Sequence, residues 1–373
     1  MPLPGLYIHI PFCRWKCNYC NFYSIVSNED LSSFIKALLK EISLYHHIFK
    51  CFDTLYIGGG TPSILSLQNF EEILKEIRKD EMLEEKAEIT VEMNPADIGV
   101  SYLKSLRQSG VNRLNIGIQS FDDRILQFLG RRHSRKQAIH AIEASIASGY
   151  DNIGFDLIYG IPGQTLTTWL ETLSLALFYR PQHLSCYQLT LDAETPLGQQ
   201  FSKNMFTFPG EDEQADFFLR TSEFLEEAGY IHYEVSNFAS NAQLVSRHNQ
   251  KYWRHSPYLG VGPSAHSFNH GKRWWNHRSV RQYIDDLTEN KLPVEGFEVL
   301  SPEQLTLEAL FLGFRTREGI DLLKFKRQYH CDLLVEKKDA LQGLVAAGLV
   351  EMSSSHLRPS RNGLAMADAL ALI

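Results

Sequence analysis

Hydrophobic and polar positions follow two alternating patterns over roughly the first 240 residues. Short runs rich in β-branched and aromatic residues are separated by longer stretches with apolar residues at helical spacing, such as LSSFIKALLKEISLY and SRKQAIHAIEASIASGY. Strands that alternate with helices need crossover connections, so the pattern predicts an α/β fold with a parallel sheet. The predicted strands are residues 6–10, 54–58, 88–92, 113–118, 152–158 and 183–189.

Chemically distinctive residues lie at the ends of several of these strands. Three cysteines follow the first strand and GGGTPS follows the second, while Glu92 ends the third, Gln119 follows the fourth and Asp156 lies late in the fifth. A doubly wound sheet, the competing arrangement, would concentrate such residues at one switch point. Their spread over successive strand ends is typical of a barrel. We therefore predict a partial (β/α)6 TIM-type barrel.

The pattern changes after residue 240. Residues 241–295 are rich in His, Trp, Asn and Gly and show no clear period, although they are too aromatic for a disordered linker. From about residue 296 the period is helical, and LVEMSSSHLRPSRNG then has the character of a short hairpin. We predict a core barrel over 1–240, a connecting segment over 241–295, and a smaller, mostly helical, winged-helix-like domain over 296–373.

Composition narrows the class of protein. The 373 residues are 44% hydrophobic and carry a net charge of -7, which argues against a general grip on nucleic acid. No apolar run approaches the roughly 18 residues of a membrane span, and the N-terminus lacks the pattern of a secretory signal. Six cysteines are too few for a disulfide scaffold. We therefore expect a cytoplasmic protein whose clustered cysteines bind metal or do redox chemistry.

Three of the six cysteines, Cys13, Cys17 and Cys20, lie within eight residues. A structural zinc site needs four ligands, and the fourth would have to be His9 or a distant residue. Ferredoxin spacings also carry four cysteines. Three thiolates on a four-iron cluster would leave one iron open for a small molecule, so the spacing favours a cluster, with zinc as the alternative. The scattered Cys51, Cys186 and Cys331 are interpreted as structural.

Longer strings carry a family resemblance. YIHIPFCRWKCNYCNF resembles the signature of the radical S-adenosylmethionine superfamily, and GGGTPS is similar to its glycine motif. The strings HIPFC, NIGIQSFD, DLIYGIPGQT and HNQKYW are similar to the oxygen-independent coproporphyrinogen oxidase branch and, within it, to its heme-chaperone group. The oxidases carry a fourth cysteine two residues after the third. This chain carries Phe22 there, as the chaperone group does.

The resemblance implies a heme chaperone that binds a [4Fe-4S] cluster, S-adenosylmethionine and heme, and delivers heme to other proteins. The alternatives are an oxygen-independent coproporphyrinogen III oxidase, against which Phe22 argues, and a radical enzyme acting on another tetrapyrrole-like substrate. Implied partners are heme-accepting proteins and, if S-adenosylmethionine is cleaved, a flavodoxin-type electron donor. No nucleic acid is expected, because the basic clusters of the C-terminal domain are interpreted as a solvated face. Membrane contact is expected only through a recipient protein.

The resemblance also assigns residues. It implies that Cys13, Cys17 and Cys20 ligate the cluster. The positions it implies around S-adenosylmethionine are Tyr7, Tyr19, Gly60, Thr61, Glu92, Gln119, Arg131 and Asp156, with Thr190 and His266 aligned more loosely.

His248, in HNQKYW, is the candidate axial ligand of heme, because Tyr252, Trp253 and Phe268 could supply aromatic surroundings. The competing interpretation is a structural imidazole that caps a backbone group. His255, His266 and His270 are rival ligands.

Overall fold

The computed structural model of the chain describes residues 2–373, apart from the side chain of Asp80. Six parallel strands form the centre of a large sheet and are neighbours in sequence order. They are β1 (Gly5–Ile10), β2 (Phe52–Gly59), β3 (Leu83–Met93), β4 (Arg113–Gln119), β5 (Ile153–Tyr159) and β6 (His183–Gln188). This consecutive order lacks the reversal of a doubly wound sheet. The predicted strands and the barrel-type arrangement are confirmed.

The sheet continues beyond this core at both edges. Beside β6 lie the short antiparallel strands β8 and β7, and beside β1 lies β9, parallel to it, followed by three antiparallel strands. Their bounds are β7 (Ile231–Glu234), β8 (Asn237–Ala239), β9 (Tyr258–Val261), β10 (His266–Asn269), β11 (Lys272–Asn276) and β12 (Val294–Val299). The segment 241–295, predicted as a connection, therefore supplies part of the main sheet. Its strands are too short to show a period.

Helices follow most of the strands and cover the sheet. Those of the first 300 residues are α1 (Leu31–Tyr45), α2 (Leu67–Ile77), α3 (Val100–Gln108), α4 (Asp123–Phe128), α5 (Arg135–Ala147), α6 (Leu166–Phe178), α7 (Pro196–Ser202), α8 (Glu211–Glu227), α9 (Arg247–Trp253) and α10 (Val280–Thr288). In α1, the buried Phe34, Leu38, Ile42 and Tyr45 recur at helical spacing and face the core. Ser134 begins α5 with a capping box, in which its hydroxyl and the Gln137 side chain satisfy each other's backbone N–H.

The C-terminal part has its own small core, which includes Phe314 and Leu357. Its elements are α11 (Pro302–Gly313), β13 (Ile320–Asp321), α12 (Leu322–Tyr329), α13 (Leu333–Glu336), α14 (Lys338–Ala346), β14 (Val350–Met352), β15 (His356–Pro359), α15 (Arg361–Ala365) and α16 (Ala367–Leu370). The predicted hairpin is confirmed as β14 and β15, which pair antiparallel. Arg361 joins this part to α8, because its guanidinium bonds Ser222 at 3.0 Å and Glu223 at 3.3 Å. Among the described helices, none combines the length and apolarity that crossing a membrane requires.

A buried carboxyl group attaches the β9–β12 extension, which consists of the strands β9 to β12 and the helix α10, to the barrel. Glu41 of α1 is fully buried and accepts hydrogen bonds from the Gly262 N–H at 2.8 Å, the Asn276 amide at 2.7 Å and the Tyr283 hydroxyl at 2.5 Å. Burial raises the pKa of Glu41 to about 7. Three separate segments of the extension thus depend on one side chain of the barrel.

We expect Glu41→Ala to destabilise the protein by about 3 kcal/mol, because three buried donors would lose their acceptor and a cavity would form. Urea unfolding followed by circular dichroism measures the change. Glu71→Ala is the matched control, since Glu71 is exposed on α2, and it should change the free energy of unfolding by less than about 0.5 kcal/mol. Equal stabilities of the two variants would contradict this role of Glu41.

Candidate functional site

A cavity of about 510 Å³ opens at the carboxyl ends of the parallel strands. This volume is in the range of small-molecule sites. Most of the residues implicated by the sequence lie in its wall: Cys13, Cys17, Tyr19, Cys20, Gly60, Thr61, Glu92, Gln119, Arg131, Asp156 and Thr190. The parallel order of the strands explains this convergence, because their carboxyl ends meet at one face of the sheet.

The three cysteines lie on the loop between β1 and α1, which we call the cysteine loop (residues 11–30). Its base is closed by a short parallel bridge, in which the Cys13 N–H donates to the Ile25 carbonyl at 3.0 Å and the Ile25 N–H donates to the Pro11 carbonyl at 2.7 Å. Its middle is held by Asn18, whose N–H donates to the Leu129 carbonyl at 3.0 Å. The loop is therefore fixed at both its base and its far side.

Hydrogen-bond donors are directed at two of the three sulfurs. The Thr61 hydroxyl donates to Cys13 Sγ at 3.3 Å, and the Arg131 guanidinium donates to Cys17 Sγ at 3.5 Å. Such donors stabilise a thiolate more than a thiol. Burial raises the pKa of the Cys20 thiol to about 11, although a hydrogen bond from the Phe22 backbone opposes this shift.

Gly60 has to be glycine because of a close approach between two backbones. Its N–H donates to the Ile10 carbonyl at 2.8 Å. A Cβ at this position would lie 2.7 Å from the Phe12 carbonyl oxygen and 3.1 Å from Cys13 Sγ. The glycine motif therefore lets the end of β2 lie directly against the base of the cysteine loop.

Two buried carboxyl groups face the cavity from β3 and β5. Glu92 accepts hydrogen bonds from the Tyr56 hydroxyl at 2.8 Å and the Gly59 N–H at 3.3 Å, and Asp156 accepts one from the Asn115 amide at 2.7 Å. Burial is the largest cause that raises the pKa of Glu92 to about 7, and the charge of Asp156 adds to it. Burial likewise raises the pKa of Asp156. The pair therefore attracts a cation strongly when both groups are ionised.

The cavity wall carries buried polar atoms that have no partner within the described residues. These atoms include Oδ1 of Asp156 and Nε of Arg131. Leaving such atoms unpaired costs about 1–3 kcal/mol each. The wall therefore offers one hydrogen-bond acceptor and one donor that the described residues leave unused.

Gln119 is held in an unusual conformation at the end of β4. Its φ is 64°, which is uncommon for a residue other than glycine, and its side chain is largely buried in the cavity wall. Strain of this kind is often found at functional sites.

Sequence reasoning did not single out Tyr56, Asn115 and Tyr187, which also line the cavity. Each lies within a strand rather than at a motif, so a pattern search had only the barrel position as a signal.

Tyr7 and His266, which the sequence also implicated, do not line the cavity. Tyr7 lies deeper in the barrel, where its hydroxyl bonds Nδ1 of His9 at 3.1 Å and its ring centroid is 6.1 Å from that of Tyr56. His266 is exposed on β10 and stacks on Trp275. Tyr7 can thus affect the cavity only through its neighbours, and His266 belongs to a different surface.

His248 lies near the opposite ends of the strands, beside the first residues of β1 and β2. Its ring nitrogens bond the Thr54 and Tyr252 hydroxyls at 2.9 and 2.8 Å, and burial lowers its pKa to about 3. It is 1% exposed. The six residues of β1 separate its level from the cysteine loop by roughly 16 Å. The structure therefore does not bring the candidate heme ligand to the cavity.

The HNQKYW string has a structural task at this lower end. It forms most of α9, whose first N–H groups donate to Glu88, while Lys251 forms an ion pair with Asp53 at 2.5 Å and bonds the Leu3 carbonyl at 2.7 Å. These contacts fasten the helix across the amino ends of β1, β2 and β3. The barrel is closed at this end and open at the other.

Comparisons with known proteins agree with this geometry. A sequence profile of the Radical SAM superfamily matches residues 7–176, and one of the HemN C-terminal domain matches residues 300–366. Similar curated proteins include the heme chaperone HemW of Synechocystis sp., which is 35% identical over 84% of this chain and 78% of its own length. The heme chaperone HemW of Bacillus subtilis is 32% identical over 97% and 96%.

Among solved structures, the coproporphyrinogen III oxidase HemN of Escherichia coli has a similar fold. The TM-score is 0.86, the sequence identity is 23%, and the match covers 99% of this chain and 89% of the other. The similarity extends through both the barrel and the C-terminal part.

The raised pKa of Glu92 leads to a prediction about stability and pH. Because the folded protein holds this proton up to about pH 7, whereas an unfolded Glu releases it near pH 4.5, the folded state loses stability as the pH rises between these values. Glu92→Gln cannot ionise. We expect it to match the parent at pH 5 and to be more stable by on the order of 2 kcal/mol at pH 8.

Urea unfolding of the ligand-free protein at several pH values measures this difference, with the exposed Glu71→Gln as the control that should follow the parent at every pH. A constant difference between Glu92→Gln and the parent from pH 5 to pH 8 would mean that Glu92 is ionised throughout.

Proposed function

The chain belongs to the radical SAM superfamily and, within it, to the HemW family, and on this basis we propose that it binds heme and delivers it to other proteins. The observation that carries the proposal is the match to relatives named heme chaperones over nearly the whole chain, including the C-terminal part. Phe22 supports it, because this residue stands where the oxidases that the motif resembles have a fourth cysteine.

We place a [4Fe-4S] cluster on Cys13, Cys17 and Cys20. The thiols share one cavity wall, and Thr61 and Arg131 direct hydrogen bonds at two of the sulfurs. Within the described residues no three His, Cys, Asp or Glu side chains are arranged to hold a metal ion together. A cluster differs from a single ion, because each thiolate binds its own iron. A bound cluster would supply an open iron and a single electron.

S-adenosylmethionine fits the remaining polar groups of the cavity. Its sulfonium and ammonium are cations and suit Glu92 and Asp156, while its carboxylate suits Arg131. The unpartnered Oδ1 of Asp156 and Nε of Arg131 are the atoms that such a ligand would satisfy. Gln119 and Thr61 supply neutral hydrogen-bonding groups in the same wall. The chain's own part is to orient the ligand and to keep water away from it.

The partners follow from this role. Heme-accepting proteins receive the cargo, and a flavodoxin-type donor supplies the electron if S-adenosylmethionine is cleaved. We place the protein in the cytoplasm, with membrane contact only through a recipient.

Loss of the three thiols should abolish cluster assembly. After anaerobic reconstitution, we expect the Cys13→Ala, Cys17→Ala, Cys20→Ala variant to contain no cluster, measured as bound iron and acid-labile sulfide, and to lose affinity for S-adenosylmethionine by more than tenfold. Cys51→Ala is the control and should retain both, because Cys51 lies outside the cavity. Parental amounts of sulfide in the triple variant would contradict the assignment.

The chaperone role is tested by heme binding and transfer. The reconstituted protein should bind hemin saturably, as followed at the Soret band. It should also transfer hemin to an apo-hemoprotein faster than serum albumin transfers hemin under the same conditions. Anaerobic incubation with coproporphyrinogen III, S-adenosylmethionine and a reductant should yield no protoporphyrinogen. Absence of heme binding would overturn the proposal, and formation of protoporphyrinogen would favour the oxidase instead.

A further inference from the structure

The cysteine loop exposes two large aromatic side chains at the mouth of the cavity. Trp15 is 60% exposed and Phe22 is 63% exposed, and both line the cavity. Among the Trp and Phe residues that the structure describes, these are two of the four most exposed; the others are Phe178 and Phe297, at 75% and 62%. Phe178 ends α6 and Phe297 lies on the edge strand β12, so each of those stands apart. Of the segments that the structure describes, the cysteine loop alone carries two of these four rings.

The two rings lie in the basic part of a loop that is neutral as a whole, because Arg14 and Lys16 are balanced by Glu29 and Asp30. Residues 12–27 include Arg14 and Lys16 but no Asp or Glu, and both cations are exposed. Arg278, also exposed, reaches the loop from outside and donates to the Asn21 carbonyl at 3.3 Å. Cations from two parts of the chain thus flank the exposed rings, although one of them, Arg14, also lies 3.8 Å from the Asp97 carboxylate.

We propose that this aromatic rim, defined by Trp15 and Phe22, is where the heme macrocycle binds, with its propionates directed to the flanking cations. The inference rests on the proposed function and locates its cargo. Heme is flat and apolar over most of its area and carries two carboxylates at one edge. A pair of aromatic rings with cations beside them answers both properties.

The size of the rim favours a small ligand over a protein. Two aromatic side chains exposed to about this degree present on the order of 250 Å². A stable protein–protein interface buries about 800 Å² on each partner. A single planar ligand is matched by the rim alone, whereas a protein partner would need further surface.

Heme could bind at the rim without any rearrangement of the chain, whereas binding at His248 would require one. His248 is enclosed with both ring nitrogens hydrogen bonded, so heme could reach it only if α9 were displaced from Glu88 and Asp53. The rim requires no rearrangement, because its aromatic rings are already exposed.

The experiment compares the Trp15→Ala, Phe22→Ala variant with the parent in Soret titrations of hemin and of iron-free protoporphyrin IX. We expect both ligands to bind at least tenfold more weakly to the variant, because the rim recognises the macrocycle. The Phe178→Ala, Phe297→Ala variant is the matched control and should bind as the parent does. The conservative Trp15→Phe, Phe22→Leu variant should stay within about threefold of the parent.

Titrations are run on cluster-loaded and on cluster-free protein, so that a change in cluster content does not obscure the comparison. The dimethyl ester of protoporphyrin lacks free carboxylates and should bind the parent more weakly than the free acid does. The Arg14→Gln, Lys16→Gln substitutions should reduce the affinity for the ester by a smaller factor than the affinity for the free acid. Parental affinity of the Trp15→Ala, Phe22→Ala variant for hemin would overturn the inference while leaving the proposed function intact. If the parent itself binds no hemin, the proposed function fails. Normal hemin affinity with lost transfer to an apo-hemoprotein would assign the rim to the recipient protein and also overturn the inference.

Discussion

The site depends on one contact between two backbones, where the turn after β2 lies against the base of the cysteine loop. Gly60 makes this contact possible, since a Cβ there would collide with the Phe12 carbonyl oxygen. Once the two backbones touch, the Thr61 hydroxyl is within 3.3 Å of Cys13 Sγ, and the loop is aligned over the ends of β3, β4 and β5. The hydrophobic core of the barrel sets the positions of the strands, but this contact sets the position of the sulfurs relative to the carboxyl groups.

Electrostatics gives the open end of the barrel its character. Glu92 and Asp156 are partly buried near each other, and burial together with the charge of Asp156 raises the pKa of Glu92, because the ionised pair is held away from water. Replacing them with apolar residues would stabilise the ligand-free barrel, which is the usual conflict between stability and function. A bound cationic ligand would offset this destabilisation, because its positive charge would neutralise the Glu92 and Asp156 carboxylates. Arg131 donates to the carbonyl of Gly117 on β4, the strand between those of Glu92 and Asp156, and also to Cys17 Sγ. The cavity therefore holds groups of both signs close together.

A structural feature could be predicted from the sequence where it depends on a short stretch of residues, and could not be predicted where it depends on contacts between distant parts of the chain. The six strands, the hairpin and the cysteine loop follow from short patterns, and Glu92, Gln119 and Asp156 follow from their places at strand ends. The places of Asn115 and Tyr187 in the cavity wall could not be predicted, because these side chains reach the cavity only when neighbouring strands align. The strands of the β9–β12 extension could not be predicted because they are only four to six residues long. They are held through contacts such as that of Glu41 with Tyr283, which are more than 200 residues apart in sequence. For His248, the sequence offered aromatic neighbours but not their direction: in the structure Tyr252 packs against His248, whereas Phe268 stacks on His255.

The two ends of the barrel show why ligand chemistry is confined to one of them. At the lower end the polar groups of α9 have partners. Glu88 accepts hydrogen bonds from its first N–H groups, Lys251 forms an ion pair with Asp53, and both ring nitrogens of His248 are hydrogen bonded. At the upper end Asp156 and Arg131 each have a buried atom with no hydrogen-bond partner among the described residues, and the Trp15 and Phe22 side chains are exposed to water. Folding alone favours neither an unpaired buried atom nor an exposed aromatic ring. The ligands that we propose would cover both features: S-adenosylmethionine within the cavity and a flat anionic macrocycle at its mouth.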